Sequence, residues 1–257
     1  MILKGKIALV TGSTSGIGLA VAEELAKAGA DIMLNGFGDA EGPRKQVAAH
    51  GVQTDFHGAD LTDVAQIEAL IRAAEARFGR LDIIVNNAGI QHVANVEDFP
   101  AERWDKVIAL NLSAAFHTSR LALPGMKKRN FGRIINIASV HGVVASAGKA
   151  AYVAAKHGLI GLTKVTALET VAFDITCNAI CPGWVLTPLV QKQIDDRAAA
   201  KGVSPAEEQH ALLTEKQPSG KFVTPRQIGE TAVFLCGGAT TEVRGSAWVI
   251  DGGWSAQ

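Results

Sequence analysis

The sequence predicts an α/β fold in which a parallel sheet is covered by helices on both faces. Short runs rich in β-branched and aliphatic residues alternate with longer stretches in which apolar residues recur at helical spacing. The strand-like runs are almost continuously apolar, which is typical of strands that are buried on both faces. Repeated strand–helix alternation therefore favours a doubly wound sheet with right-handed crossovers.

Seven strands and five long helices are expected, and we interpret residues 1–257 as a single domain. The strands are predicted at 6–10, 31–35, 54–58, 81–86, 133–138, 175–181 and 247–250, and the helices at 16–28, 63–78, 101–128, 149–171 and 225–235. Thr62 is expected to cap the helix at 63–78, and Gly79 to end it. A polar, helix-prone insertion at 187–222 interrupts the alternation between the sixth and seventh strands. We expect it to form a small helical lid over the edge of the sheet where such folds bind ligands.

Composition excludes several classes of protein. Twenty-five basic residues balance 25 acidic ones, so the basic excess of a nucleic-acid-binding protein is missing. No apolar run approaches the length of a membrane span, and the first residues lack a signal-peptide pattern, so we expect a cytoplasmic protein without a membrane segment. Three cysteines are too few for a disulfide framework. Cys177 and Cys181 are expected to be buried on one strand face, and no metal site is predicted.

A glycine-rich loop follows the first strand and opens the first helix. It spans Thr11 to Gly18 with the spacing G-x-x-x-G-x-G. Glycines allow a tight turn and close approach of the backbone to a pyrophosphate, and the helix N-terminus favours negative charge. Alone, such a turn is compatible with an ordinary loop, but its place between strand and helix favours a dinucleotide site. The predicted contacts are Thr11, Gly12, Ser13, Thr14, Gly16, Ile17 and Gly18.

Three further segments at the same sheet edge are expected to contact the dinucleotide. These contacts are Asn87, Ala88 and Gly89 after the fourth strand, Asp60 and Leu61 after the third, and Asn35 and Phe37 after the second. Asp60 is placed to accept a hydrogen bond from the adenine amino group. The second strand ends without the acidic residue that usually recognises the ribose of NAD. It also has no arginine or lysine to hold a 2′-phosphate, which Phe37 would crowd, so NAD is favoured over NADP.

Four polar residues form a candidate catalytic group. Tyr152 and Lys156 are one helical turn apart and face the same way. A lysine ammonium, together with a cationic nicotinamide ring, would stabilise a phenolate and lower the tyrosine pKa. Ser139 ends the fifth strand and is placed to bind the reacting oxygen. Asn111 lies within a helical stretch and is placed to hold a water beside Lys156.

With these motifs the chain resembles the short-chain dehydrogenases/reductases over essentially its whole length, which implies a Rossmann fold. The resemblance makes Tyr152 the acid/base, Lys156 a ligand of the nicotinamide ribose, Ser139 a substrate-orienting group and Asn111 part of a proton relay. It implies a homotetramer contacted through the helices at 101–128 and 149–171. Further cofactor contacts are expected after the sixth strand, at Pro182, Gly183, Val185 and Thr187.

A lysine, a histidine and two amides are placed to bind one carboxylate near the reacting centre. These are Lys149, His141, Gln91 and Gln193, with Trp184 as an apolar wall. Segments around them resemble, more narrowly, bacterial family members that interconvert (R)-3-hydroxybutyrate and acetoacetate, which adds Trp254 to the pocket. The chain departs from that pattern at Leu186, at Gly220-Lys221 and around Gly42-Pro43.

Two alternatives to this substrate are retained. One is a short-chain reductase for another small oxo acid or for a 3-oxoacyl thioester. A thioester has no carboxylate near the ketone, so a site with Lys149 and His141 argues against it. The other is a non-catalytic Rossmann protein that senses the dinucleotide and acts through a partner. Such a protein would not need Ser139, Tyr152, Lys156 and Asn111 together, and all four are present.

Overall fold

The computed structural model describes residues 1–188 and 190–257 in full and the backbone of residue 189. The strands are β1 (Ile7–Val10), β2 (Asp31–Asn35), β3 (Thr54–His57), β4 (Ile83–Asn86), β5 (Gly132–Ile137), β6 (Ile175–Pro182) and β7 (Ala247–Ile250). They form a parallel sheet in the order β3-β2-β1-β4-β5-β6-β7. The order reverses between β1 and β4, which places the ligand-binding crevice at the carboxyl ends of these strands. The predicted doubly wound parallel fold is confirmed.

Nine α-helices flank the sheet within the described residues. They are α1 (Gly16–Lys27), α2 (Glu41–Ala48), α3 (Val64–Phe78), α4 (Ala101–Ile108), α5 (Ala114–Arg129), α6 (Ala150–Leu168), α7 (Pro188–Lys201), α8 (Pro205–Lys216) and α9 (Pro225–Cys236). Alternate residues of β1 enter the two cores: Ala8 and Val10 pack with α1 and α9, whereas Ile7 and Leu9 pack with α3 and α5. None of the helices in the described chain is both long and apolar enough to span a bilayer.

Helix α2 was not predicted, because its sequence opens with Gly42 and Pro43. Proline is tolerated in the first turn of a helix, where its missing N–H has no intrahelical partner. Val47 is the buried residue of this helix, so apolar periodicity gave no signal. The cap of α3 also differs from expectation: Asp63, rather than Thr62, accepts the hydrogen bond from the Ala65 N–H.

The stretch at 101–128 is not one regular helix. A π-helical turn at Ala109–Ser113 separates α4 from α5. Within it, the side-chain amide of Asn111 donates to the carbonyl of Val107, at 2.9 Å. This side-chain bond supplies a partner where the widened turn interrupts the regular backbone ladder.

The insertion between β6 and β7 folds as the helical pair α7 and α8. Thr187 caps α7, and Ser204 and Glu207 form a capping box at α8. Gly202 ends α7 with φ at 68°, in the left-handed region. The buried carboxylate of Glu208 binds two cations of α7, Arg197 at 2.6 Å and Lys201 at 2.7 Å. The two helices are therefore tied together by charge as well as by apolar contacts.

Candidate active site

The glycine-rich loop brings the backbone close to its neighbours at two positions. A Cβ on Gly18 would lie 2.2 Å from the carbonyl oxygen of Gly12, so only glycine lets α1 approach the loop this closely. Gly12 itself has φ at 62°. The side chain of Ser15, at the N-cap of α1, makes no capping hydrogen bond within the described chain. Backbone N–H groups at this helix start are therefore available for a phosphate.

Three residues of the loop face inward rather than towards the crevice. The hydroxyl of Thr11 accepts hydrogen bonds from the N–H groups of Asn87 and Ala88, at 2.9 and 3.1 Å. Ser13 is fully buried and donates to the carbonyl of Val10. Thr11, Ser13 and Gly18 are not among the described residues that line the cavity. The hydroxyls of Thr11 and Ser13 and the missing side chain of Gly18 shape the loop, and the direct cofactor contacts expected of these residues stay predictions.

One oxygen of the Asp60 carboxylate accepts hydrogen bonds from the N–H and hydroxyl of Thr62, at 2.9 and 2.8 Å, and Asp60 is not among the described residues that line the cavity. The adenine contact expected from this carboxylate stays a prediction. Asn35 lines the cavity but is buried; its side-chain amide donates to the carbonyls of His57 and Ala59, both at 3.0 Å. It therefore ties the glycine-rich loop, β2 and β3 together.

A cavity of about 520 Å³ opens at the carboxyl edge of the sheet. All other predicted site residues line it: Gly12, Thr14, Gly16, Ile17, Asn35, Phe37, Leu61, Asn87, Ala88, Gly89, Gln91, Asn111, Ser139, His141, Lys149, Tyr152, Lys156, Pro182, Gly183, Trp184, Val185, Thr187, Gln193 and Trp254. The glycine cradle, the open helix start and these residues fit a nicotinamide dinucleotide. The departures Leu186, Gly220 and Lys221 are not part of the lining.

Tyr152, Lys156 and Ser139 come from two elements that meet at this edge. Tyr152 and Lys156 lie on the first turns of α6, and Ser139 follows β5. The ammonium of Lys156 donates to the carbonyl of Ile137 at 2.8 Å and lies 5.5 Å from the centroid of the Tyr152 ring. This hydrogen bond holds the Lys156 ammonium beside the ring of Tyr152. Lys156 is the only buried cation among the described residues of the lining.

Burial changes the acidity of both members of this pair. It lowers the pKa of Lys156 to about 8, so the ammonium is still largely protonated at neutral pH. Burial raises the pKa of Tyr152, and the neighbouring Ser139 hydroxyl acts in the opposite direction. The groups of the chain alone therefore do not produce the lowered tyrosine pKa that was expected for the complex with a cationic ring.

Asn111 borders a small closed cavity next to Lys156. Its amide nitrogen donates to the carbonyls of Ile90 and Val107, both at 2.9 Å, whereas its buried oxygen has no partner among the described residues. The small cavity measures about 10 Å³ and is also lined by Thr118 and Lys156. This volume is close to what one water molecule needs, and the lining supplies polar partners for it.

Two tryptophans form the apolar wall of the substrate end. Trp184 and Trp254 stack with ring centroids 6.0 Å apart. His141 meets the Trp254 ring edge-on at 5.2 Å. Lys149 lies with its ammonium 5.3 Å from the centroid of the Trp184 ring. Desolvation by burial is the main cause that lowers the pKa of Lys149, and the charge of Arg197 on α7 adds to it.

Sequence reasoning missed several lining residues. They are Ser15, Gly36, Ala59, Ile90, Leu110, Ile137, Ala138, Val140, Pro188 and Val190. Most are apolar or belong to the core pattern, so no chemical signal distinguishes them. Val190 is the exception: it lies one turn before Gln193 on α7, and that spacing places both on one helix face.

The comparisons with known proteins agree with this geometry. The family model described as short chain dehydrogenase matches residues 6–198. D-beta-hydroxybutyrate dehydrogenase of Cupriavidus necator is 60% identical over 257 residues, covering 99% of this chain and 100% of that protein. The enzyme of the same name from Rhizobium meliloti is 51% identical, covering 98% and 99%.

Solved structures extend the likeness to the fold. A crystal structure of actinorhodin polyketide ketoreductase with NADPH matches with a TM-score of 0.92 and 35% identity, covering 98% of each chain. Levodione reductase matches with a TM-score of 0.92 and 32% identity, covering 99% of each chain. Sequence identity over nearly the full length, the matched family model and the shared fold lead to one conclusion: this chain belongs to the short-chain dehydrogenase family of oxidoreductases, which bind a nicotinamide dinucleotide.

Proposed function

We propose that the chain is an NAD-dependent dehydrogenase that interconverts (R)-3-hydroxybutyrate and acetoacetate. The observation that carries this proposal is Lys149. It is a partly buried cation in the cavity that also contains Ser139 and Tyr152, and no carboxylate of the described residues forms an ion pair with it. A cation in such a place is stabilised by an anionic ligand, and a substrate carboxylate supplies one.

The remaining polar groups of the pocket suit a small carboxylic acid. The side-chain amides of Gln91 and Gln193 line the same cavity from opposite sides, the loop after β4 and the lid helix α7. Together with Lys149 they offer charge and directional hydrogen bonds to one carboxylate. Both relatives named D-beta-hydroxybutyrate dehydrogenase act, by that name, on a small acid of this kind.

The tryptophan wall supports a short substrate over a 3-oxoacyl thioester. Trp254 is only 8% exposed and stacks on Trp184. The carboxylate of Asp251 accepts hydrogen bonds from the N–H groups of Gly253 and Ser255, at 3.0 and 2.7 Å, which fixes the chain on both sides of Trp254. This fixed pair of large rings takes up space in the cavity lining, which favours a short substrate over one with a long acyl chain.

The preference for NAD is supported by the end of β2. Among the described residues of the cavity lining, Lys149 and Lys156 are the only lysines and there is no arginine. Phe37, 68% exposed, occupies the position after Gly36 where a cation would be needed for a 2′-phosphate. The side chain of Asn35 is already used by β3 and the glycine-rich loop.

In the proposed mechanism, a nicotinamide dinucleotide held by the glycine-rich loop, the start of α1 and Lys156 would supply the hydride acceptor for C3 of the hydroxy acid. Tyr152, as the phenolate, takes the proton of the substrate hydroxyl, and Ser139 holds the substrate oxygen as it becomes a carbonyl. The ammonium of Lys156 stabilises the phenolate form of Tyr152. Asn111 and the small cavity beside Lys156 provide the route by which the proton leaves. The carboxylate contacts hold the substrate in one orientation, which accounts for stereospecificity.

The homotetramer expected from the family resemblance is also proposed. Its support is apolar surface on the two helices predicted to contact neighbours: Phe116 on α5 is 47% exposed, and Val165 and Leu168 on α6 are 50% and 71% exposed. Sedimentation equilibrium of the purified chain tests it, and a monomeric mass would reject it. The cytoplasmic location stays a prediction.

A steady-state assay of NADH formation tests the proposed activity. We expect turnover of (R)-3-hydroxybutyrate with NAD, little with the (S) enantiomer, and lower efficiency with NADP. Tyr152→Phe is expected to reduce kcat by about 10²- to 10⁴-fold, because it removes the acid/base group. NADH binding, followed by fluorescence, serves as the control for an intact cofactor site. Absence of turnover by the wild-type enzyme despite normal NADH binding would reject the substrate.

A further inference from the structure

The imidazole ring of His141 lies between two serine hydroxyls. Its Nε2 is 2.9 Å from the hydroxyl oxygen of Ser146, and its Nδ1 is 3.5 Å from that of Ser139. The backbone N–H of His141 also donates to the Ser139 hydroxyl, at 3.2 Å. The ring therefore connects Ser146, which lies in the loop before α6, to the serine at the reacting centre.

The ring is fixed in place and uncharged. His141 is 4% exposed and stands edge-on to Tyr152 and to Trp254, with ring centroids at 6.0 and 5.2 Å. Burial is the largest cause that lowers its pKa to about 4. The electrostatic influence of Lys149, His157 and Lys216 acts in the same direction. At neutral pH the ring thus carries one proton, on one of its two nitrogens.

The position of that proton decides what Ser139 can do. A serine hydroxyl has one hydrogen to donate and two lone pairs to accept with. If the proton is on Nδ1, both lone pairs of Ser139 are used, by Nδ1–H and by the His141 backbone N–H. Its hydrogen is then free for the oxygen of Tyr152 or of the substrate. If the proton is on Nε2, Nδ1 becomes an acceptor and draws the Ser139 hydrogen away from the reaction.

We propose that Ser146 is a positioning residue: its hydroxyl donates to Nε2 of His141, which places the ring proton on Nδ1 and makes Ser139 a donor to the reacting oxygen. The inference rests on the role proposed for Ser139. Ser146 has no other side-chain hydrogen bond within the described chain, so its hydroxyl is free to take the donor orientation. The hydrogen bonds then all point in one direction, from Ser146 through His141 and Ser139 to the reacting oxygen. Because both ring nitrogens are used by serines in this arrangement, the inference leaves the substrate carboxylate to Lys149, Gln91 and Gln193 and takes His141 out of the carboxylate contacts expected from the sequence.

The tautomer of His141 is the direct test. We would record ¹H–¹⁵N spectra of histidine-labelled, full-length protein saturated with NADH, assigning His141 by the signal lost in His141→Gln. The wild type is expected to carry the proton on Nδ1, and Ser146→Ala is expected to shift it to Nε2. Ser146→Thr keeps a hydroxyl and should restore the wild-type pattern. A proton on Nε2 in the wild type, or the same tautomer in Ser146→Ala, would overturn the proposal.

Kinetics provide the second readout. Ser146→Ala is expected to lower kcat for acetoacetate reduction by about five- to tenfold, the effect of one neutral hydrogen bond, with KM changed less than twofold. Ser146→Thr should recover most of the rate. Val144→Ala, in the same loop but outside the cavity lining, serves as the matched control for truncation. An equal loss in both alanine variants would point to loop packing instead. The spectra do not depend on the substrate, so they test Ser146 even if the wild type does not turn over acetoacetate.

Discussion

Replacement of Lys149 by methionine tests the proposed substrate contact most directly. The side chain keeps its length and packing against Trp184 but loses its charge. Two unit charges about 4 Å apart interact by about 4 kcal/mol at an effective dielectric constant of about 20. Truncating one member of a buried charge pair costs about 2–5 kcal/mol in measured interfaces. Because Lys149 is only partly buried, we expect Lys149→Met to lose about 2–3 kcal/mol of transition-state stabilisation. This corresponds to about a 30- to 160-fold loss in kcat/KM.

The assay compares a charged and a neutral substrate. Initial rates are measured with (R)-3-hydroxybutyrate and with 2-butanol, which has a similar carbon skeleton and no carboxylate. Lys149→Met should lose kcat/KM for the acid, mainly through KM, and leave the low rate with the alcohol unchanged. Lys164→Met, an exposed lysine on the same helix, serves as the control for loss of charge. An equal loss for both substrates, or no loss for the acid, would refute the carboxylate contact.

Three further predictions concern the lid, the buried histidine and the cofactor preference. Glu208→Gln removes the carboxylate that binds two cations of α7, so we expect faster proteolysis between α7 and α8 and a higher KM for the substrate. The control Asp196→Asn breaks only an exposed ion pair and should change neither the proteolysis rate nor KM. Because the pKa of His141 falls from its ordinary 6.5 to about 4 on folding, the unfolded chain binds more protons between these pH values, and the free energy of unfolding should decrease as pH falls through this range. Urea titrations at pH 7 and pH 5 should show a smaller decrease for His141→Gln, and an identical decrease would contradict the argument. Phe37→Arg supplies a cation near the ribose, so the ratio of kcat/KM with NADP to that with NAD should rise; an unchanged ratio would place the 2′-phosphate elsewhere.

The strands and the long helices were predictable because their signal is local. Strands such as β4 and β6 are buried on both faces, so their composition alone separates them from the helices around them. Helix α2 gave no such signal, since it buries Val47 and starts beside glycine and proline. The π-helical turn at Asn111 was equally hidden, because it is defined by widened backbone hydrogen bonding, such as that from the Ala114 N–H to the Ala109 carbonyl, and not by a change in apolar spacing.

The motifs located the cavity but did not specify what each residue in it contacts. Ser13 and Thr11 belong to the glycine-rich loop, yet their hydroxyls bond to the backbone of the chain rather than facing the crevice. The carboxylate of Asp60, which is predicted to contact adenine, also accepts hydrogen bonds from Thr62 in its own turn. Short polar side chains next to a tight turn have backbone partners within reach. Sequence position alone therefore cannot separate a ligand contact from a structural one.

The charge of the cavity differs from the charge of the chain as a whole, and this difference explains how one site serves two anions. The chain has a formal net charge of zero, but the described residues of the cavity lining include Lys149 and Lys156 and no aspartate or glutamate. In the proposed complex the phosphates of the dinucleotide would face the open start of α1, and the two lysines would lie at the reacting end. An aspartate or glutamate in this lining would form an ion pair with Lys149 and neutralise its charge. The pocket would then no longer bind the substrate carboxylate. The absence of acidic residues from the lining is thus as necessary to the proposed specificity as the lysines themselves.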